Sequence, residues 1–172
     1  MANAQSQPEN KNFLSPLGFR FVMQRAPNVI YFSQACTLPS ITFGQVDRET
    51  PLLRYPIPGD RLTYEPFILR FKVDEDMKNY LEILNWLEGL GHPEDLDQHR
   101  KLADRRSTSP AQTVVSDGTL IILTSNMNAN RQVFFEDMFP INCTPLEFDS
   151  TGMDVEHLEA TVTFGYRSFK IE

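Results

Sequence analysis

The sequence predicts a mainly β chain of the α+β class, with one α-helix at about residues 75–90. Thirteen phenylalanines and twelve prolines among 172 residues favour strands joined by turns. Several segments alternate apolar and polar side chains, the period of two that marks a half-buried strand. One stretch instead repeats its apolar residues every three or four positions, which is the period of a helix.

The length suits one domain, which would bury roughly 70% of the surface exposed by the unfolded chain. Residues 1–12 are polar and rich in Asn and Gln, so we expect a flexible N-terminal arm there and a single domain over residues 13–172. A formal charge of −7 disfavours a DNA-coating role, which needs clustered Lys and Arg. The sequence has no signal-like start and no apolar run of eighteen residues, so we expect assembly in a cytoplasm and no membrane partner.

Cys36 and Cys143 are the two cysteines of the chain. They form no CxxC pair and have no histidine at metal-ligand spacing, so we expect neither a metal nor a cofactor. We interpret them as buried thiols that stay reduced in a cytoplasm. The alternative is a redox role, in which cysteines of different subunits bond after release into oxidising surroundings.

The N-terminal half predicts a hairpin followed by an excursion. Residues 18–25 alternate like a strand, and Ala26-Pro27-Asn28 predicts a short reversal into a second strand over residues 29–38. Residues 45–55 are polar with isolated apolar positions, which indicates an extended excursion or, alternatively, a mobile surface loop. Prolines and a glycine in residues 56–60 then predict a turn.

A strand and the helix follow directly. Phe67, Leu69, Phe71 and Val73 share one face of the strand. Asp74 then ends the strand, and its carboxylate can cap the helix. Two acidic residues are expected in the first helical turn, where the helix dipole favours negative charge. The expected acidic pair is Glu75 and Asp76. The apolar face of the helix is expected to consist of Met77, Tyr80, Leu81, Leu84 and Leu87. The signals that end the helix are Gly89, Gly91 and Pro93.

Residues 94–112 are the most charged segment and can hold a short helix over residues 96–103. The segment and its flank supply a set of side chains that suggests metal or acid–base chemistry, but the HExxH and DxDxDG patterns are missing. We therefore interpret the segment as a solvated loop whose cations form salt bridges in an assembly. The polar set is His92, His99, Glu94, Asp95 and Asp97, and the cations are Arg100, Lys101, Arg105 and Arg106.

The C-terminal third predicts a second hairpin and a final strand. Asp117-Gly118 is a turn signal before a buried strand over residues 119–124, and three asparagines at residues 126–130 turn the chain into a strand over residues 132–137. The final strand has the clearest alternation, with five residues on one face: Leu158, Ala160, Val162, Phe164 and Tyr166.

Two blocks of motifs carry a family resemblance. The first has a Leu38-Pro39 pair, a Gly59-Asp60-Arg61 turn, an alternating strand and a helix with Trp86. The second has Met138-Phe139-Pro140-Ile141-Asn142, a strand over residues 146–149, a polar turn over residues 150–154 and a last strand ending in Phe164-Gly165-Tyr166. In order and spacing the chain resembles the tail tube proteins of contractile-tailed bacteriophages, a superfamily shared with the inner tubes of type VI secretion systems.

The resemblance implies a two-sheet β-sandwich or barrel with one flanking helix. It also implies a structural subunit of a virion tail, in which six copies close a ring and rings stack into a tube for DNA ejection. The implied partners are further copies of the chain, the tail sheath protein, and baseplate and tail terminator proteins, with the tape measure protein and DNA inside the lumen. Related members are baseplate tube initiators, tail terminators and the inner tubes of type VI secretion or extracellular injection systems.

Ring stacking is expected to use the long polar excursion after the Leu38-Pro39 pair, because it exceeds the roughly 4–6 residues of a simple connector. The N-terminal arm is expected to contribute. The candidate stacking residues are Gln45, Asp47, Arg48, Glu49, Gly59, Asp60 and Arg61.

Two rival classes lack support. A hydrolase would need a G-x-S-x-G elbow, a phosphate loop or a Cys–His–carboxylate set, so we expect no enzyme and no catalytic residue. A carbohydrate-binding module would need an exposed aromatic platform, whereas Trp86, the one tryptophan, is expected to pack against the sandwich.

The acidic charge has a possible use in the channel. A ring of six carries 6 × −7 = −42, and part of that charge is expected to line the lumen and repel DNA. The alternative is that acidity only keeps the outer surface soluble. The carboxylates considered for the lumen are Glu65, Glu147, Glu156 and Glu159.

Overall fold

A computed structural model describes residues 12–91, 114–149 and 157–172. The expected flexible N-terminal arm, the interpreted charged loop of residues 94–112 and the polar turn of residues 150–154 lie almost wholly outside these ranges. Nine strands and two helices are present in the described part: β1 (Phe19–Met23), α1 (Pro27–Tyr31), β2 (Ser33–Thr37), β3 (Ile41–Glu49), β4 (Arg54–Tyr64), β5 (Phe67–Lys72), α2 (Lys78–Gly91), β6 (Ser116–Leu123), β7 (Ala129–Cys143), β8 (Glu159–Gly165) and β9 (Ser168–Ile171).

The strands confirm a mainly β fold with two sheets. β1, β6, the first part of β7 and β9 form sheet A. The last part of β7 with β8, β5 and β2 forms sheet B, and all of these pairs are antiparallel. Among the strands of the described residues, β3 and β4 pair only with each other and form a separate two-stranded ribbon, the β3–β4 hairpin. Among the described residues, no helix is long and apolar enough to cross a membrane.

The long strand β7 changes sheet at Asp137. This residue has a φ of 55°, in the left-handed region, and its backbone N–H donates to Oδ1 of Asp117 at 3.1 Å. The pairing of β6 with β7 shifts register at the same place. Arg167 Nη1 also lies 3.2 Å from the Asp137 carboxylate. The kink is therefore held by a residue of β6 and by a residue of the connection between β8 and β9, and it marks a β-bulge.

The core lies between the two sheets and is rich in phenylalanine. The ring of Phe67 on sheet B lies 5.0 Å from that of Phe21 and 4.9 Å from that of Phe135, both on sheet A. As predicted, alternate residues of β5 and β8 are buried and their neighbours face outward. The fully buried residues of these two strands are Phe67, Leu69, Phe71, Ala160, Val162 and Phe164.

Helix α2 is confirmed, but it begins a few residues later than expected, and its buried face only partly matches the prediction, with Tyr80 and Leu87 packed against the core. It begins at Lys78, so the two acidic residues Glu75 and Asp76 precede the first turn. The buried face consists of Asn79, Ile83, Trp86 and Gly89, while Leu81 of the predicted face is 43% exposed. Apolar residues occur on most sides of this helix, so their spacing alone does not select the buried side.

Asn79 is a polar residue on that buried face, and its hydrogen bonds explain why it is there. Its side-chain N–H donates to the Lys72 carbonyl oxygen at 2.7 Å, which ties the helix to the end of β5. Its backbone N–H donates to Oδ1 of Asp74 at 3.2 Å, and the Asp74 N–H returns a bond of 3.3 Å to the Asn79 side-chain oxygen. The predicted capping role of Asp74 is therefore confirmed.

Three predicted local elements are wrong. Residues 18–38 do not form a hairpin, because Pro27 begins the short helix α1, β1 pairs with β6 and β2 pairs with β5. Asp117 and Gly118 lie inside β6 rather than in a turn. Residues 146–149 form no strand. In the first two cases a local signal was overridden by pairing with another strand.

Candidate assembly surfaces

The β3–β4 hairpin extends from the sandwich and turns at residues 50–53. The Thr50 N–H donates to the Leu53 carbonyl oxygen at 2.9 Å, and Thr50 Oγ1 donates to the same oxygen at 2.6 Å. The predicted excursion is therefore real, but it is a paired ribbon and not an irregular loop. The predicted turn at residues 56–60 is wrong, since these residues lie inside β4.

The body of the protein anchors the hairpin at its base. The Tyr64 ring lies 6.1 Å from that of Tyr166 and 5.6 Å from that of Phe169. The Tyr166 hydroxyl donates to the Glu65 carbonyl oxygen at 2.6 Å, and burial is the main cause that raises the pKa of Tyr166 to about 12. These contacts fix where the hairpin leaves the sandwich.

One face of the outer hairpin is apolar and exposed. Val46 pairs with Ile57 across the two strands, and the next pair on that face is Arg48 with Tyr55. Val46 is 58% exposed and Ile57 is 36% exposed, and Leu52 at the tip is 97% exposed. An isolated two-stranded hairpin is marginally stable in water, so a surface of this kind indicates a partner. The sequence missed this face because its apolar residues are interrupted by the turn.

The opposite face carries charge and proline. Arg54 Nη2 lies 2.6 Å from Oδ2 of Asp47, and Arg54 Nε lies 3.7 Å from Oε1 of Glu49. Both carboxylates belong to the predicted stacking set, whereas Arg54 was missed. All seven predicted stacking residues lie on the hairpin, in two groups: Gln45, Asp47, Arg48 and Glu49 on β3, and Gly59, Asp60 and Arg61 on β4.

Sheet B ends in two open strand edges. In the described ranges, β2 pairs only with β5, and residues 139–143 of β7 pair only with β8. The Thr144 N–H donates inward to the Thr161 carbonyl oxygen at 2.9 Å, so the backbone groups of the preceding residue, Cys143, point toward the open edge. Unpaired edges of this kind are templates for pairing with another chain.

The outward face of sheet B carries few charges and also exposes apolar side chains such as Ile68 and Ile141. The strand segments of sheet B carry three charged residues, namely Arg70 and Lys72 on β5 and Glu159 on β8. Arg70 Nε lies 3.6 Å from Oε2 of Glu159. The rest of this face includes threonine hydroxyls on β2 and β8, so its described side chains sum to +1 and not to an acidic surface.

The described carboxylates considered for a lumen lie on different elements. Glu159 is on the outward face of sheet B, and Glu65 follows β4 at the base of the hairpin. Glu147 follows β7 outside any strand, while Glu156 lies outside the described residues.

Both cysteines are free thiols on sheet B and are half-buried against the core. Burial raises the pKa of each thiol to about 11.

Of the described residues, no group of three or more His, Cys, Asp or Glu side chains could hold a metal ion. The histidines His92 and His99 with Glu94, Asp95 and Asp97 lie outside the described ranges. Trp86 packs as predicted, at 2% exposure, and donates its indole N–H to the Val114 carbonyl oxygen at 2.9 Å.

Solved structures with this arrangement come from contractile injection machines. A chain of the sheath–tube complex of the extracellular contractile injection system PVC in its extended state matches with a TM-score of 0.61 at 13% identity, covering 94% of this chain and 93% of that chain. A chain of the anti-feeding prophage (AFP) baseplate matches with a TM-score of 0.58 at 14% identity, covering 98% and 97%. The chain has the tube protein fold.

A third match comes from the tube-terminating cap of the anti-feeding prophage, with a TM-score of 0.59 at 13% identity, covering 100% of this chain and 99% of that chain. No protein-family model and no curated protein matches the sequence. At these identities the likeness establishes the fold, and the coverage shows that the tube protein fold spans nearly the whole chain, with the β3–β4 hairpin and open sheet edges described above.

Proposed function

We propose that this chain is a structural subunit of a contractile tail tube, in which six copies close a ring and rings stack around a channel. The observation that carries the proposal is the pair of open edges on sheet B together with the unpartnered β3–β4 hairpin. Both are costly in an isolated subunit, and both are covered when copies of the chain pair. The tube protein fold of the solved injection machines supports it.

Ring closure follows from the direction of the strands. Each neighbouring pair in sheet B is antiparallel, so β2 runs opposite to β7. When sheet B continues from one subunit to the next around a ring, β2 of one copy meets the last part of β7 of its neighbour, again antiparallel. Such a head-to-tail contact repeats identically at every boundary and leaves sheet B without a free edge once the ring closes.

Stacking of rings is assigned to the β3–β4 hairpin. Its apolar face, with Val46, Tyr55 and Ile57, provides buried area against an adjacent ring. Its opposite face offers Asp47, Glu49 and Arg54 for contacts at the rim. The N-terminal arm remains a proposed second contributor to the same contact.

The ring is tested by light scattering and electron microscopy of the purified chain over a range of concentrations. A ring of six would have a mass of about 119 kDa, six times the 19.8 kDa of the chain. Rings or stacked rings are the expected result. A subunit that remains monomeric at all concentrations and salt conditions, with sheath protein present or absent, would contradict the proposal.

The stacking contact is tested by shortening the hairpin at a paired position. Because Gln45 pairs with Pro58, residues 46–57 can be replaced by an Asn-Gly turn that keeps the strands joined. We expect folded rings that no longer stack into tubes. Val46→Asp should act in the same way, whereas the control Leu81→Asp, on an exposed part of α2, should still give tubes. Tubes of normal length from the shortened variant would refute this assignment.

A place at the end of a tube is the second candidate. Two matched chains favour this role on fold as much as the other matches favour a main tube subunit. One is the cap chain described above. The other comes from the PVC sheath/tube terminator and has a TM-score of 0.58 at 15% identity over 95% of this chain and 99% of that chain. Copy number separates the two roles. A main tube subunit should occur in particles at a number close to that of the sheath protein, and a terminator or baseplate initiator at about one ring per particle.

The proposed surroundings of the tube follow from this role. The outer wall would contact the tail sheath protein, the ends would contact baseplate and terminator proteins, and the channel would hold the tape measure protein before DNA passes. The particle would be a virion tail assembled in the host cytoplasm. Purification of particles carrying an affinity tag on this chain, followed by mass spectrometry, tests each partner separately.

A further inference from the structure

Cys36 and Cys143 lie in one row across sheet B, at its two opposite edges. Cys36 pairs with Leu69, Leu69 pairs with Val162, and Val162 pairs with Cys143. Three strand spacings of about 4.8 Å separate the cysteines by about 14 Å within one subunit. A disulfide needs Cα atoms within about 7 Å, so the two thiols cannot bond inside one chain.

We propose that Cys36 of one subunit and Cys143 of the next form a disulfide site across the ring boundary. The inference rests on the proposed ring, in which β2 of one copy pairs with β7 of its neighbour. When the rows of sheet B continue level across that boundary, the two cysteines become direct cross-strand neighbours. Each thiol lies on the core side of the sheet, because each is opposite a buried residue and packs against the core.

Backbone geometry agrees with this register. The N–H of Cys143 points to the open edge, and alternation of hydrogen-bonded and non-bonded pairs along the row gives the N–H of Cys36 the same outward direction. Two such residues form a hydrogen-bonded pair with Cα atoms about 5.5 Å apart. That separation lies inside the range that a disulfide spans.

The neighbouring registers are less favourable. Side chains must keep to their own face, so the row can shift only to the next residue on that face in either direction. One shift places Pro145 opposite Cys36. In the other direction the bulge between Pro140 and Asn142 leaves Ile141 exposed, so Pro140, three residues before Cys143, is the next residue on the core face and comes opposite Cys36. A proline has no N–H and leaves the new ladder one donor short. Of the three registers, the level one places Cys143 opposite Cys36.

Formation of this disulfide needs an oxidant, and a small-molecule disulfide can supply the oxidising equivalents. Two Sγ–H bonds break, one Sγ–Sγ bond forms between the subunits, and two protons leave. The two electrons reduce the small disulfide to two thiols. Attack requires a thiolate, and burial raises the pKa of both thiols to about 11, so the bond forms slowly at neutral pH and faster at pH 9.

The test uses assembled rings of the full chain, treated with oxidised glutathione at pH 9 and run on a non-reducing gel. A link between unlike cysteines joins subunits in series, so the expected product is a ladder from dimer to hexamer that reductant collapses. Cys36→Ser and Cys143→Ser should each give no ladder. An equal mixture of the two variants, co-assembled, should give dimers only, because each subunit then has one thiol.

The outcomes separate this inference from the proposed ring. Rings seen by electron microscopy without a ladder overturn the level register and leave the ring intact. Dimers from a single variant alone show bonding between like cysteines and also overturn it. If no ring forms, both proposals fail. Should a serine variant not fold, Cys36→Ala and Cys143→Ala provide the same arms with a less polar replacement.

Discussion

Gly59 faces Gly44 across the β3–β4 hairpin so closely that a Cβ atom at position 59 would lie 2.8 Å from the Gly44 carbonyl oxygen. The glycine therefore permits a close approach of two strands at a bulge, where the pairing shifts register between Phe43 and Gln45. The sequence suggested a turn here. The hairpin needs this contact for its shape, which gives a direct test of its role.

Gly59→Ala should distort the hairpin and weaken tube assembly. We expect the concentration for half-assembly to rise about tenfold, equivalent to about 1.4 kcal/mol, because a Cβ atom forces the strands apart. The melting temperature of the subunit should stay within about 2 °C, since the change lies outside the core. Gly91→Ala is the matched control, because nothing lies within 4 Å of its added Cβ. Equal assembly of the two variants would refute the prediction.

Asn79→Ala should destabilise the subunit. The Lys72 carbonyl oxygen would lose a donor and Asp74 a partner, at a cost of about 2 kcal/mol, or a melting temperature lower by about 4–8 °C. Asn85→Ala changes the same residue type on the exposed side of the helix and should leave the melting temperature nearly unchanged. Thermal unfolding followed by circular dichroism measures both. A similar loss in the two variants would show that the bonds of Asn79 contribute little.

The sequence predicts strands correctly where one face of the strand is buried and the other is exposed to solvent. β5 and β8 show this in Phe67 and Phe164, whose alternating neighbours fixed the strands and their inward faces. It failed where pairing is distant: Phe21 pairs with Leu120, about 100 residues away, and no local signal at Pro27 reports that partner. The proposed ring surfaces lie at strand edges, and an edge strand can be identified only when the order of strands in the sheet is known.

The candidate residues show the same division. Length and polarity located the predicted stacking set on one hairpin, but Val46 and Ile57 were missed because they become neighbours only when the strands pair. The sequence offers Cys36 and Cys143 for a redox role, but their common row across sheet B depends on two intervening strands, β5 and β8.

Glu136 should make stability depend on acid pH. Arg167, Lys170 and Ser168 donate to its carboxylate at 2.8–3.0 Å, and these bonds lower its pKa to about 2. A lowered pKa adds stability above the unfolded value near 4.5, and that stability is lost as pH falls from there toward 2. Glu136→Gln should flatten this part of the stability–pH curve, with Glu88→Gln as the control on an exposed helix position. Parallel curves for wild type and Glu136→Gln, measured by urea unfolding, would contradict the assignment.

The charge of sheet B should govern how tubes hold nucleic acid, if sheet B lines the channel. The acidic lumen remains a prediction, whereas the strands of sheet B carry Arg70 and Lys72 against Glu159. We expect Glu159→Gln tubes to retain more of a labelled single-stranded oligonucleotide than wild type, and Arg70→Gln tubes to retain less, with both differences fading as salt is raised. Glu88→Gln, on the exposed side of α2, is the control. Identical retention in all tubes would indicate that another surface lines the channel.

The continuity of β7 has a mechanical consequence. This one strand belongs to sheet A before Asp137 and to sheet B after it, and its last part is one of the two proposed ring contacts. A load applied to sheet A therefore reaches that contact along covalent backbone as well as through packed side chains. The kink at Asp137, held by Asp117 and Arg167, is the hinge on which such a load would act. In the proposed ring, such a load would pass from one subunit to the next through this strand.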